Sequence, residues 1–304
     1  MKRIAPILVA LLLTGCGSTR ESTRPVDPDF ALYSGQARRA FDRLNYEYAA
    51  RLYADALRRA REMDEAWAIA TAAYNLAACR AQQGRVDDAG RLLEEARLEF
   101  SRDGTVPAQV LLLEARLALR AGSPARAASA LDEFEGRNPD PASARQGRLL
   151  RARLALEAGE TEQAHAILAS LERLEEGEIA VEELELSADL AEAVGDHPAA
   201  AAARARAAEL LRRSGNYRRM ALLLRQVGLS RQAAGDPVAA LDCYYRSARS
   251  FHAAGCEPEA LRSIGLALQV DPAAAQLHSA GLTRLVREIQ EKLESSREKT
   301  RGAE

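Results

Sequence analysis

Gly195-Asp196-His197-Pro198-Ala199-Ala200 and Gly235-Asp236-Pro237-Val238-Ala239-Ala240 carry one pattern at a spacing of 40 residues. Glycine takes the left-handed backbone that closes a helix, and Asp or Pro one or two residues later opens the next. The alanine five places after the glycine lets two helices come close. The same pattern stands in Gly84-Arg85-Val86-Asp87-Asp88-Ala89, Gly122-Ser123-Pro124-Ala125-Arg126-Ala127 and Gly159-Glu160-Thr161-Glu162-Gln163-Ala164. Leu44-Asn45-Tyr46-Glu47-Tyr48-Ala49 is a version without glycine. From Gly84 onward the turns recur every 36 to 40 residues, a period that belongs to stacked helix hairpins. Later, Gly195, Gly215, Gly235 and Gly255 fall 20 apart, so both turns of a hairpin carry glycine.

Composition agrees with this reading. Ala, Leu, Arg and Glu dominate the 304 residues, aromatics supply 5%, and no stretch alternates as a half-buried strand does. That vocabulary forms helices. The pattern predicts fourteen helices of four to five turns, paired as seven hairpins over residues 29–296. The last helix is expected from Ala273 to Ser296, opened by Asp271-Pro272. Arg287, Glu288, Glu291, Lys292 and Glu294 would give it the polar outer face that a terminal repeat requires. Residues 297–304 are expected to fray. The competing architecture is a plain antiparallel bundle with irregular spacing.

The repeat resembles the tetratricopeptide (TPR) motif, whose 34-residue unit is a pair of antiparallel helices. Tyr74-Asn75-Leu76-Ala77 is similar to that motif's first-helix signature, and Gly84, Ala89, Leu93 and Ala96 fit its turn and second helix. Tyr46, Ala49, Tyr53 and Ala56 fit the same positions in the first unit, and Pro139 sits where the third unit's closing proline belongs. The period here is longer, and aromatic positions are often Leu or Ala. The resemblance implies an all-α, right-handed α-solenoid of about seven TPR-like hairpins that docks partners on its inner face.

The first fifteen residues carry a different message. Met1-Lys2-Arg3 gives a positive start, Ile4 to Leu13 a short apolar run, and Leu13-Thr14-Gly15 leads into Cys16. This is the plan of an export signal, and the run is too short to span a bilayer core, which needs about 20 apolar residues. Leu13-Thr14-Gly15-Cys16 resembles the lipobox of bacterial lipoproteins. The resemblance implies cleavage before Cys16, a diacylglyceryl group on its thiol and acylation of its amine, with palmitate-type chains. Two or three acyl chains make a lasting anchor where one does not. Gly17 resembles the sorting position of lipoproteins sent to the outer membrane, with inner-membrane or cell-surface placement as the alternatives. Residues 16–28 then read as a lipidated cysteine and a tether rich in Ser, Thr and Pro, about 40 Å long when stretched.

Chemistry-bearing motifs are sparse. Cys79, Cys243 and Cys256 are an odd number, and Cys243 and Cys256 are separated by about 20 Å of helix, so no disulfide is expected. His165, His197, His252 and His278 show no helical metal-ligand spacing, and no phosphate-binding loop or nucleophile elbow is present. No catalysis, cofactor or metal is expected. A formal charge of −2 gives no electrostatic support for nucleic acid. Lysine stands only at positions 2, 292 and 299, so arginine is the default cation.

The TPR resemblance places the inner face by counting back from each turn glycine. The unit before Gly195 presents Glu182, Glu185, Asp189 and Glu192, whose spacing puts four carboxylates on one stripe. Neighbouring units present Arg116 and Arg120, then Arg153, with Arg225 later and Arg38 in the first unit. The acidic stripe is expected to be exposed and to favour a basic partner segment, with a merely solvated face as the bland alternative. Tyr74 and Phe41 read as packing residues. Together the resemblances imply an outer-membrane-anchored periplasmic scaffold or adaptor with protein partners in the cell envelope. Such lipoproteins resemble outer-membrane protein assembly components, type IV pilus pilotins and adaptors of cell-wall enzymes. An enzyme or small-molecule carrier with a site between helices, and a purely structural spacer, stay open at this point.

Overall fold

The computed structural model describes residues 27–172, 174–270 and 279–301. Among them are fourteen α-helices and no strand. The hairpins are α1 (Pro28–Asp42) with α2 (Tyr46–Met63), α3 (Ala66–Gln82) with α4 (Val86–Asp103), and α5 (Ala108–Arg120) with α6 (Pro124–Glu135). They continue as α7 (Pro141–Glu157) with α8 (Thr161–Ala169), α9 (Glu178–Ala193) with α10 (His197–Arg213), and α11 (Tyr217–Ala233) with α12 (Pro237–Ala253). A final pair is α13 (Glu257–Gln269) and α14 (Ser279–Arg301). Each helix packs on its chain neighbours, and the first helices α3, α5, α7 and α9 also touch in order. The protein is an all-α solenoid.

The turn chemistry explains the repetition. Gly195 and Gly235 both sit at φ near 79° and 78°, which only glycine adopts without strain. This lets Asp196 N–H reach back to the Ala191 carbonyl at 2.8 Å and Asp236 N–H to that of Arg231 at 2.9 Å. Each aspartate then caps the next helix, its Oδ1 accepting from Ala199 N–H at 3.0 Å and Ala239 N–H at 3.1 Å. Leu44 makes the same turn at φ 60° with a full side chain, a strain of about 1 kcal/mol. The alanines five places after each turn residue, Ala49, Ala89, Ala127, Ala164, Ala200 and Ala240, are all fully buried.

Helix lengths depart from the expected four to five turns in the middle of the chain. α8 has 9 residues and one buried position, Ala164. It stops where the Ser170 hydroxyl turns back to the Ile167 carbonyl at 2.6 Å, competing with the helix ladder. α6 has 12 residues and ends at Gly136-Arg137-Asn138-Pro139, where no helix can continue. At the C-terminus α14 remains helical through Arg301, past the expected fraying point at Arg297. The expected opening at Asp271-Pro272 and Ala273 lies outside the described residues.

Apolar packing runs as a chain of clusters from Phe30 to Ile289, as a stack of short-range contacts requires. The hairpin α11–α12 shows how tightly two helices meet. A Cβ on Gly228 would stand 2.5 Å from Cε1 of Tyr244. That ring is fully buried, and its hydroxyl donates to Gln232 at 2.9 Å. The Ser247 hydroxyl, also buried, donates to the Ala221 carbonyl across the same hairpin at 2.7 Å.

Two substitutions test these constraints. Gly228→Ala should cost about 1–3 kcal/mol, because the Tyr244 ring has nowhere to move. Leu44→Gly should instead stabilise, by up to about 1 kcal/mol, by releasing left-handed strain. Urea denaturation reads both; a silent Gly228→Ala would mean that α11 and α12 are not in this register.

Candidate functional site at the inner face

All nine charged side chains read from the sequence as facing inward lie on first helices, Arg38 on α1 among them. Arg116 and Arg120 are on α5, Arg153 on α7, the four carboxylates on α9 and Arg225 on α11. Arg116 reaches across two units to Glu182 at 3.1 Å. Arg153 meets Asp189 at 2.7 Å. Arg120 donates to the Ala81 carbonyl of α3 at 2.9 Å. Arg116, Arg153 and the four carboxylates take part in ion pairs here, Arg120 lies within range of the Glu182 and Glu185 charges, and among the described residues neither Arg38 nor Arg225 forms an ion pair.

Three arginines and a histidine that the sequence reading passed over complete this network. Arg219, at the start of α11, contacts both Glu178 and Glu185. Arg204 of α10 meets Asp189 at 3.0 Å and Glu192 at 3.5 Å and donates to the Ser230 hydroxyl. His197 sits 3.1 Å from Glu192, and Arg145 of α7 donates to Glu183 at 2.6 Å. Arg204 had a readable signal: it shares the buried face of α10 with Ala200, Ala207, Ala208 and Leu211. Arg219 had none, because its partners come from the preceding hairpin.

The expectation of an exposed acidic stripe is corrected. The side chains of Glu182, Glu185, Asp189 and Glu192 are only 25%, 24%, 35% and 30% exposed, and each has an arginine partner. The reason is the curvature of the stack. Arg219 lies close enough to Tyr46 of α2 to work against the rise that burial imposes on its phenol. Arg219 of α11 thus comes within electrostatic range of α2, and Arg116 of α5 reaches Glu182 of α9, two hairpins further on. Side chains packed along this row lose water, and a half-buried charge persists there only with a counter-charge.

Electrostatics reflect that confinement. Burial pushes the Glu185 carboxyl up to about 7; Asp189 and Glu182 add to this, while Arg153 and Arg204 oppose it. Burial and the neighbouring Arg116 lower Arg120, against the attraction of Glu182 and Glu185. Arg219 is lowered by the same two causes. Tyr74 and Phe41 pack against the N-terminal core.

Other chemistry is thin. Among the described residues no three His, Cys, Asp or Glu side chains are placed to share a metal ion, and no helix is long and apolar enough to cross a membrane. Cys79, Cys243 and Cys256 are free thiols, and burial drives Cys79 up to about 12. Behind the axis, a cleft of about 270 Å³ runs between α10 and α12 over Met220, Leu224, Val227 and Cys243. Its rim charges are paired, Glu209 with Arg212 at 2.6 Å and Asp242 with Arg246 at 3.3 Å. Cys16 lies outside the described residues.

No protein-family model and no curated protein matches the sequence. Among solved structures the chain is similar to BtubC (BKLC) from P. vanneervenii, at 19% identity and a TM-score of 0.47, over 75% of this chain and 93% of that one. It is also similar to a tetratricopeptide repeat protein from Parabacteroides merdae, at 14% identity and a TM-score of 0.45, over 87% and 100%. A third likeness is to the TPR2AB domain of yeast Sti1 in its pHSP90 complex, at 13% identity and a TM-score of 0.36, over 86% and 98%. The hairpin repeat described above rests on this chain's own helices and turns.

Arg204→Ala should cost about 3 kcal/mol, since Asp189 and Glu192 would lose a buried counter-charge. Arg206→Ala, on the exposed side of the same helix, should stay within about 0.5 kcal/mol of the parent. Equal urea midpoints for the two variants would show that the α9–α10 network carries no stability.

Proposed function

We propose that this protein is a lipid-anchored, non-catalytic scaffold of the bacterial cell envelope, held on the outer membrane through Cys16 with its helical body in the periplasm. The observation that carries the reading is the leader, Leu13-Thr14-Gly15-Cys16, set ahead of a body made only of stacked hairpins. A solenoid lays its first helices side by side and so offers an extended surface to protein partners. The charged groups along the axis are paired with one another, an arrangement that holds the shape of the stack. Protein partners in envelope assembly, secretion or cell-wall machinery fit this plan; nucleic acid does not, given a formal charge of −2.

The anchor is tested by Cys16→Ser. The parent should fractionate with membranes, and its mature N-terminus should carry acyl mass on Cys16. The variant should be released as soluble protein or remain an unprocessed precursor. An unmodified mature N-terminus elsewhere would overturn the anchor. The scaffold role is tested by photo-crosslinking in intact cells from residues on the first helices. Discrete protein adducts are expected, and their absence from every position would overturn the scaffold reading.

A further inference from the structure

The inner row changes character between α9 and α11. The positions held by Glu182, Glu185 and Asp189 are occupied 40 residues later by Leu222, Arg225 and Leu229. Leu222 and Leu229 are 37% and 46% exposed. On α13, Leu261 and Leu268 are 42% and 67% exposed, on one helical stripe with Arg262 and Gly265. A Cβ at Gly265 would meet nothing within 4 Å. Here, unlike the middle of the row, large apolar side chains face water across two helices.

The charges differ as well. Arg225 lies 5.5 Å from the Phe251 ring centre and donates to the Glu259 carbonyl of α13 at 3.5 Å. Its guanidinium is lowered first by burial and then by the like charge of Arg262, with Glu259 opposing. Among the described residues, neither Arg225 nor Arg262 forms an ion pair with a carboxylate. Arg116, Arg153, Arg204 and Arg219 each have one. Two adjacent arginines without an ion-pair partner among the described residues, opposed only in part by the Glu259 carboxylate and flanked by exposed leucines, complement a surface that is both acidic and apolar.

We propose that the α11–α13 face is the docking site for an acidic amphipathic helix of another protein. Its apolar stripe would lie on Leu222, Leu229, Leu261 and Leu268, and its carboxylates would meet Arg225 and Arg262. Leu222 and Leu229 are seven residues apart on α11, about 10 Å along the axis, so a docked helix of two or more turns covers both. The proposal rests on the scaffold reading and gives it a location and a partner chemistry.

The test uses the full chain and a fluorescein-labelled synthetic peptide of about 18 residues, Leu on one helical face and Glu on the other, read by anisotropy. A twin peptide carries Lys for Glu. The Leu/Glu peptide should bind and weaken as salt rises, and the Leu/Lys twin should bind at least about tenfold more weakly. The double variant Leu222→Ser/Leu229→Ser should lose at least about tenfold in affinity, and Arg262→Gln several-fold, with unchanged circular dichroism. Arg262 is exposed, which guards the test against misfolding. No binding, equal binding of both peptides, or indifference to these substitutions would overturn the proposal. Self-association abolished by Leu222→Ser would assign the face to a second copy instead. If cellular adducts survive the double variant, the site is wrong and the scaffold stands. If the peptide binds here and no cellular adduct forms, the scaffold reading fails alone.

Discussion

The close approach within the first six hairpins governs the rest of the molecule. In each of them a left-handed turn reverses the chain, and five residues later an alanine with no exposed surface sits where a larger side chain would hold the helices apart. With so few aromatics, the chain obtains its density from close backbone approach and not from bulky side chains. Gly228 against Tyr244 and Gly147 against Phe134 show the same economy: one partner gives up its Cβ so that the other can keep a ring. Because each hairpin is fixed in this way, the angle between units accumulates along the chain. That accumulation brings Arg116 of α5 to Glu182 of α9, two hairpins on.

From that curvature follows the charge distribution. On an isolated α9, Glu182, Glu185, Asp189 and Glu192 would be a solvated face. Wound onto a narrow axis, the same four side chains are drawn against arginines from α5, α7, α10 and α11. Pairs of this kind seldom add much net stability over apolar packing, yet losing one member is costly. They therefore act chiefly to define how the units sit around the axis. The middle of the inner face is internally satisfied, and the surface with unmet chemistry moves to α11 and α13. There Leu222 and Leu229 replace carboxylates, and Arg225 has a backbone carbonyl and an aromatic ring for company.

The short α8 has a place in the same picture. With one buried residue and a serine that folds back on its own carbonyl, it is the weakest link in the outer layer. A small apolar cluster still bridges it, joining Leu149 and Ala152 of α7 and Ala164 of α8 to Leu186 and Leu190 of α9. The pairing of Arg145 with Glu183 and of Arg153 with Asp189 ties α7 to α9 as well. Ion pairs and apolar contacts together hold the row of first helices past the short α8.

The sequence alone determined the helical class, the position of the turn in each of the first six hairpins and the identity of the alanines packed behind it. These are local matters: a left-handed glycine, an Asp cap and a buried alanine are set by neighbours within a few residues. It also put Glu182, Glu185, Asp189 and Glu192 on one stripe of one helix, because helical periodicity fixes a face. What it left open was which of those residues would meet. Arg116 and Glu182 are 66 residues apart, and Glu185 is bound by Arg219 from the following hairpin. Whether a carboxylate stripe is free or paired depends on the angle between successive hairpins, which is the sum of many side-chain contacts and is written in no single motif. The tertiary structure decided that the acidic stripe is neutralised and that the open surface lies at Leu222 and Leu229, because only the winding of the whole stack brings distant charges within reach.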